Sequence, residues 1–197
     1  MKIAVDIDDV LLDFNSKFCE YFNHQFKTNY CKKDINKWNF YTNWNVSRET
    51  INKIYYKIYK NDILPLIDID IINILDQLNK IYNIDLVTAK SSNYKSELIR
   101  NLEIVNINKD LHYNEILMVN DKPYDLKCRL NYDIYIDDNP NLVRKIRKNS
   151  KKVLFLFHQP WNKEVEEHDN IIRISNWNEI KNHLIHNIYF PIMKNPV

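Results

Sequence analysis

The chain has 197 residues, 45% of them hydrophobic and 27% charged, with a formal net charge of +2. That length suits one α/β domain with a modest insertion, and the near-neutral balance gives no electrostatic case for a nucleic-acid or membrane partner. Three cysteines, Cys19, Cys31 and Cys128, form no C-x-x-C pair; this fits reduced thiols in a cytosol, not a disulfide framework or a zinc site.

In chain order, "KIAVDI" reads as a short buried strand. Leu11, Phe14, Phe18, Phe22 and Phe26 then recur at helical spacing. The stretch from Tyr30 to Pro65 is crowded with aromatic residues and has no strand pattern, so it is expected to form two or three short helices. "IDIDIINILDQLNKIY" follows as an amphipathic helix, "IDLVTA" as a buried strand and "NYKSELIRNL" as a helix. "EILMVN" reads as a strand, "YDLKCRLN" as a helix and "YDIYID" as a strand. "NLVRKIRKN" is a basic helix, "KVLFLF" and "NIIRI" are strands, and "NWNEIKNHLIHNI" is a closing helix capped by Asn176 with Glu179 three residues on.

Strands alternating with helices predict an α/β fold, a doubly wound parallel sheet. Ligands of such sheets lie beyond the C-terminal strand ends, where strand order reverses. "IYFPIM" is far too short to span a membrane, "MKNPV" reads as a loose tail, and Asp6 arrives before a signal-peptide core could form. The expected location is cytoplasmic. Glycine is absent altogether. That excludes glycine-dependent phosphate loops and leaves positive-φ turns and helix C-caps to Asn or Asp.

The strand ends carry the chemistry. The first strand ends in Asp6 and Asp8, "DLVT" in Thr88, and "DIYIDD" in Asp137 and Asp138, with Lys122 and Lys127 shortly before that last strand. Carboxylates gathered this closely require a proton or a cation among them, and Mg²⁺ is the economical hard cation for oxygen ligands. Mg²⁺ and a lysine would cancel the repulsion between a carboxylate and a phosphate dianion, and Thr88 would donate a hydrogen bond to a phosphoryl oxygen. One carboxylate can then attack phosphorus, while a second, two residues on, serves as acid and base.

This pattern, "DIDDV" from Asp6, then Thr88, Lys122 and Asp137-Asp138, resembles the four motifs of the haloacid dehalogenase (HAD) superfamily, in that superfamily's order. Asp8 points to its phosphatase branch. The resemblance implies Asp6 as nucleophile and Asp8 as acid/base. It also implies a Mg²⁺ site made by Asp6, the backbone carbonyl of Asp8, and Asp138, with Asp137 in support. "DIDDVLLDF", the insertion after it, "YIDDNP" and "FHQPWN" are further similar to the 5′(3′)-deoxyribonucleotidase family. That family implies a cap at 15–65 inserted into a catalytic core of 1–14 and 66–190. It also implies a small phosphomonoester substrate, a nucleoside monophosphate above all, with a homodimer as the assembly to consider. Phe14 matches a substrate-contacting position of that family; Phe40 and Tyr41 are further candidates for base stacking, and Thr88, Ala89 and Lys122 for phosphate binding. Asp9 stands where the family usually has glycine, and Ala89 where a second hydroxyl is often found.

The motif lysine is assigned to Lys122 over Lys127, because Asp121-Lys122 gives the family's D-K pair and Pro123 suits a first helical position. The alternatives are a HAD phosphatase for another small phosphomonoester or a nucleic-acid phosphate end, a degenerate HAD fold kept for binding, and a phospho-receiver module. The last has the acidic pair first and the nucleophile mid-chain, the reverse of the order here. An EF-hand loop starting at Asp6 would need glutamate at its twelfth position, where Lys17 stands.

Overall fold

The computed structural model describes residues 1–119 and 122–186. Asn120, Asp121, all of "IYFPIM" and the whole "MKNPV" tail lie outside the described residues. Strand β1 (Lys2–Val5) is buried from Ile3 to Val5, as an apolar run at the centre of a parallel sheet should be. With β2 (Asn83–Thr88), β3 (Ile116–Met118), β4 (Ile134–Asp137), β5 (Val153–Phe157) and β6 (Ile171–Ile174) it makes one sheet, ordered β3-β2-β1-β4-β5-β6 and parallel throughout. The strand order reverses between β1 and β4, so those two strand ends flank the expected ligand crevice.

Alternation along the strands divides the core. Ile3, Val5, Ile134, Ile136, Val153, Phe155 and Phe157 face the larger cluster. Ala4, Tyr135, Leu154 and Leu156 face the smaller one, completed by Val143 and Ile146 of α5 (Val143–Arg147). The sheet is thus covered on both sides, the doubly wound arrangement read from the sequence.

Between β1 and β2 the described chain is helical: α1 (Phe14–Phe26), two 3-10 turns, α2 (Arg48–Asn61) and α3 (Ile71–Asn79). Phe14, Phe18, Phe22, Phe40, Ile51, Ile54 and Ile58 belong to the same buried cluster as the sheet's larger face, so the insertion has no separate core. Its two ends run side by side. The Asp13 N–H donates to Pro65 O at 2.9 Å, and the Ile67 N–H to Leu11 O at 2.8 Å. This stem explains two late helix starts. Residues 11–13 and 65–67 pair their backbones here, so α1 begins at Phe14 instead of Leu11, and α3 at Ile71 instead of Ile67.

The helix expected over 124–131 is only a 3-10 turn at Leu126–Arg129. Carbonyls that a longer helix would use are taken by side chains instead: Asn139 Nδ2 donates to Tyr124 O, and Lys152 Nζ to Cys128 O and Leu130 O. The remaining elements are α4 (Lys95–Ile104) and α6 (Trp177–Leu184). Asn176 caps α6 by accepting from the Glu179 N–H at 3.0 Å, and Glu179 reaches back to the Asn176 side-chain amide at 3.0 Å and to the Ser175 N–H at 2.8 Å, one residue ahead of the cap.

With no glycine available, the described positive-φ positions are Asp9, Asn45, Asn106, Asp110 and Lys27. Four are the Asn and Asp expected; Lys27 is the exception. It ends α1 at φ 56° with its backbone N–H on Asn23 O. A β-carbon costs roughly 1–2 kcal/mol in this region, and Lys27 is exposed with no described partner for its ammonium. Lys27→Gly should therefore stabilise the protein by about 1 kcal/mol. A urea titration reads this as a higher midpoint at constant slope.

Candidate active site

The register pairs Val5 of β1 with Ile136 of β4, and the Asp6 N–H donates to Ile136 O at 2.9 Å. Asp6 therefore leaves the sheet beside Asp137. One oxygen each from Asp6, Asp137 and Asp138 lies within 4.8 Å of the others, and all three residues are buried. Lys127 joins them from the 3-10 turn, with Nζ 2.8 Å from Asp6 Oδ1 and 2.7 Å from Asp137 Oδ2.

This corrects the sequence reading of the motif lysine. Lys122 is exposed, and its Nζ lies over the Tyr124 ring at 5.9 Å, whereas Lys127 is only 3% exposed and meets two of the carboxylates. Because the segment turns as a 3-10 helix, Lys127 is carried inward. Burial works against its ammonium, but Asp137 and Asp6 outweigh that and hold its pKa up.

The acidic pair divides its work. Asp137 spends both oxygens inside the protein, Oδ2 on Lys127 and Oδ1 on the Asn139 N–H at 2.9 Å. Asp138 receives the Trp161 Nε1–H on Oδ2 at 2.9 Å, and no donor among the described residues reaches its Oδ1. Burial raises the pKa of both, and for Asp138 the charges of Asp6 and Asp137 add to it. Three buried carboxylates, only two of them paired to the one ammonium, form a set short of positive charge, which fits a divalent cation with oxygen ligands.

Asp8 stands slightly apart. Its Oδ2 accepts from Tyr59 Oη–H of α2 at 2.5 Å, and Lys90 Nζ lies 2.7 Å from Oδ1. Lys90 also sits over the Tyr59 ring, 3.9 Å from its centre. Burial pushes the Asp8 carboxyl up in pKa against the pull of Lys90, and pushes the Lys90 ammonium down. Asp9, at φ 58°, occupies the glycine-like position; Lys32 Nζ lies 2.7 Å from its Oδ1, and Gln159 Nε2 donates to its carbonyl at 2.7 Å.

Above these groups opens a cavity of about 540 Å³, lined by Asp6, Asp8, Thr88, Ala89, Lys90 and Asp138 below and by the helical insertion above. Phe14, Phe40 and Tyr41 all reach its wall. Phe14 and Phe40 are nearly fully buried there. Phe14 is stacked on Tyr59, with ring centres 4.9 Å apart, and Phe40 packs on Phe18 and Trp44. Trp38, Tyr41, Tyr55, Tyr94 and Tyr124 line the same cavity half-buried, and thus present more free ring surface.

Sequence reasoning missed Lys90, Tyr59 and Trp161 as site residues. Tyr59 and Lys90 carry no local signal beyond their residue type. Trp161 lay within "FHQPWN", a stretch noted for its similarity but given no role.

A parallel sheet with a carboxylate after its central strand, an acidic pair on the next strand and a lysine between them defines a HAD-type phosphomonoester hydrolase. The chain belongs to the family described as 5′ nucleotidase, deoxy (pyrimidine), cytosolic type C protein, whose model matches residues 1–189. No curated protein matches the chain by sequence. Solved structures share the fold. A haloacid dehalogenase-like hydrolase from Streptococcus pneumoniae is 17% identical with a TM-score of 0.61, covering 92% of this chain and 97% of that one. The HAD hydrolase YfnB of Bacillus subtilis, solved bound to magnesium, is 10% identical with a TM-score of 0.57, over 93% and 98%. A haloacid dehalogenase-like protein of Agrobacterium tumefaciens is 12% identical with a TM-score of 0.64, over 95% and 99%. Among the described residues, no helix is long and apolar enough to cross a membrane.

Proposed function

We propose that the protein is a Mg²⁺-dependent nucleotidase that hydrolyses deoxynucleoside monophosphates through an aspartyl-phosphate on Asp6. The observation that carries this reading is the buried group of Asp6, Asp137, Asp138 and Lys127 at the floor of an aromatic-walled cavity. Family membership and the magnesium bound to the B. subtilis hydrolase support it.

Asp6 and Asp138, with the backbone carbonyl of Asp8, would hold the metal, and Asp137 would orient Lys127 beside them. The bound cation supplies positive charge that offsets the repulsion between carboxylate and phosphate. Lys127 adds a second charge at Asp6, and Thr88 donates to a phosphoryl oxygen. An Asp6 oxygen forms a bond to phosphorus as the ester P–O bond breaks, and Asp8 gives its proton to the departing oxygen. Asp8, now ionised, takes a proton from water, whose oxygen attacks phosphorus and releases inorganic phosphate from Asp6. A carboxyl with a raised pKa suits this first, proton-donating role. Residues 15–65 act as a cap over the site, with the half-buried aromatics stacking on the base.

The test is a panel of phosphomonoesters with Mg²⁺ and with excess chelator. Deoxynucleoside monophosphates should exceed sugar phosphates and glycerol phosphate in kcat/KM by about tenfold to a hundredfold, the worth of one stacked ring. Chelation should abolish turnover and Mg²⁺ restore it. A sugar phosphate or phosphorylated DNA end that outran every mononucleotide would overturn the substrate assignment, and full activity in chelator would overturn the metal site.

A further inference from the structure

Trp161 is buried in a 3-10 turn (Pro160–Asn162) after β5, and its indole N–H is spent on Asp138 Oδ2. The turn is built to hold it there. Asn162 Nδ2 donates to Asp138 O and to Phe157 O, both at 2.8 Å. Asn162 Oδ1 accepts from the Gln159 N–H at 3.1 Å and from Arg173 Nη1 at 3.0 Å. Gln159 ties the same turn to the Asp9 carbonyl. The turn that carries the buried indole therefore cannot shift without breaking a network that also anchors Asp138's backbone.

An indole N–H is a donor only, and here it engages Oδ2 and leaves Oδ1 with no donor among the described residues, on a carboxylate with an oxygen within 4.8 Å of one each from Asp6 and Asp137. Such a carboxylate is prepared to bind a metal through one oxygen. One-oxygen ligation suits Mg²⁺, which demands near-ideal octahedral geometry; Ca²⁺ tolerates higher coordination and often takes both oxygens of a carboxylate.

We propose that Trp161 is a positioning residue that fixes Asp138 for one-oxygen ligation, and so sets both the affinity of the site for Mg²⁺ and its preference over Ca²⁺. The inference rests on the metal site of the proposed function. Outer hydrogen-bond partners of metal ligands commonly change affinity by about tenfold to a hundredfold. Trp161 also lines the cavity, so the test reads metal binding in the absence of substrate.

The experiment titrates metal-free full-length protein with Mg²⁺ and separately with Ca²⁺ in a calorimeter, without substrate. Trp161→Phe removes the N–H, and replacement of residue 161 by benzothienylalanine removes it while keeping the shape of the ring system. The second variant covers the case in which the first fails to fold. Mg²⁺ should bind the N–H-less protein about tenfold to a hundredfold more weakly, with Ca²⁺ affected less, so that the preference narrows. If a folded variant keeps the parent's Mg²⁺ affinity, or loses both ions equally, the inference is overturned while the metal site stands. If the parent itself takes up no Mg²⁺, the metal site falls, and this inference with it.

Discussion

Asp6→Asn should leave the protein folded and lower turnover by several powers of ten. Asparagine is nearly isosteric, and it keeps the backbone N–H that donates to Ile136 O, so the strand end should persist. What disappears is the nucleophile, and removal of a covalent nucleophile has losses of this order. The measurement is single-turnover hydrolysis of an aryl phosphate, beside a thermal melt that checks the fold. In the parallel variant Asp8→Asn, phosphoenzyme should form from an activated ester and persist, visible by intact mass. Near-normal turnover in Asp6→Asn would favour direct attack by water and would sink the aspartyl-phosphate mechanism.

The second large effect belongs to a lysine. Lys127→Ala should lower kcat by about a hundredfold to a thousandfold, the scale of losing one electrostatic stabiliser from a preorganised site. It should also cost stability. The substitution strands Asp6 and Asp137 as buried charges without their partner, a change worth about 3–5 kcal/mol when one member of a buried pair is lost. Lys127→Met, which keeps much of the stem volume, separates packing from charge and should be as slow as the alanine variant. Lys122→Ala should leave both kcat and stability unchanged, since that side chain is exposed and, among the described residues, meets only the Tyr124 ring. The opposite ranking, measured at saturating Mg²⁺, would return the role to Lys122.

The exchange of these two lysines shows where the sequence stopped being legible. The sheet was readable because buried strands are continuous apolar runs and helices repeat every three or four residues; both patterns are local. Asp6, Asp137 and Asp138 were readable because carboxylates directly after apolar strands need a reason. Lys127 depended instead on how tightly seven residues wind before β4. Pro123 suggested a helix start and thereby favoured Lys122. The winding was decided by Asn139 and Lys152, which take carbonyls of the segment from well outside it. Tyr59 was opaque for a similar reason. Among the many aromatics of residues 30–65, only the fold distinguishes the ring whose hydroxyl lies on Asp8. The absence of glycine gave a sharper clue. It anticipated that Asn and Asp would take positive φ, and Asp9 does so at the site itself. It did not anticipate Lys27, whose left-handed conformation is set by the end of α1.

Tyr59 also links two properties that an evolving enzyme would gain from varying separately. Its ring stacks on Phe14 in the cavity wall and lies beneath Lys90, and its hydroxyl holds Asp8. A substitution that enlarges the cavity here to admit a bulkier substrate removes a donor from Asp8 in the same stroke. Drift in substrate range along this wall is therefore coupled to loss of rate. Variation that broadens specificity without that penalty should concentrate at Trp38, Tyr41 and Tyr124, whose rings border the cavity without a hydrogen bond to Asp6, Asp8 or Asp138.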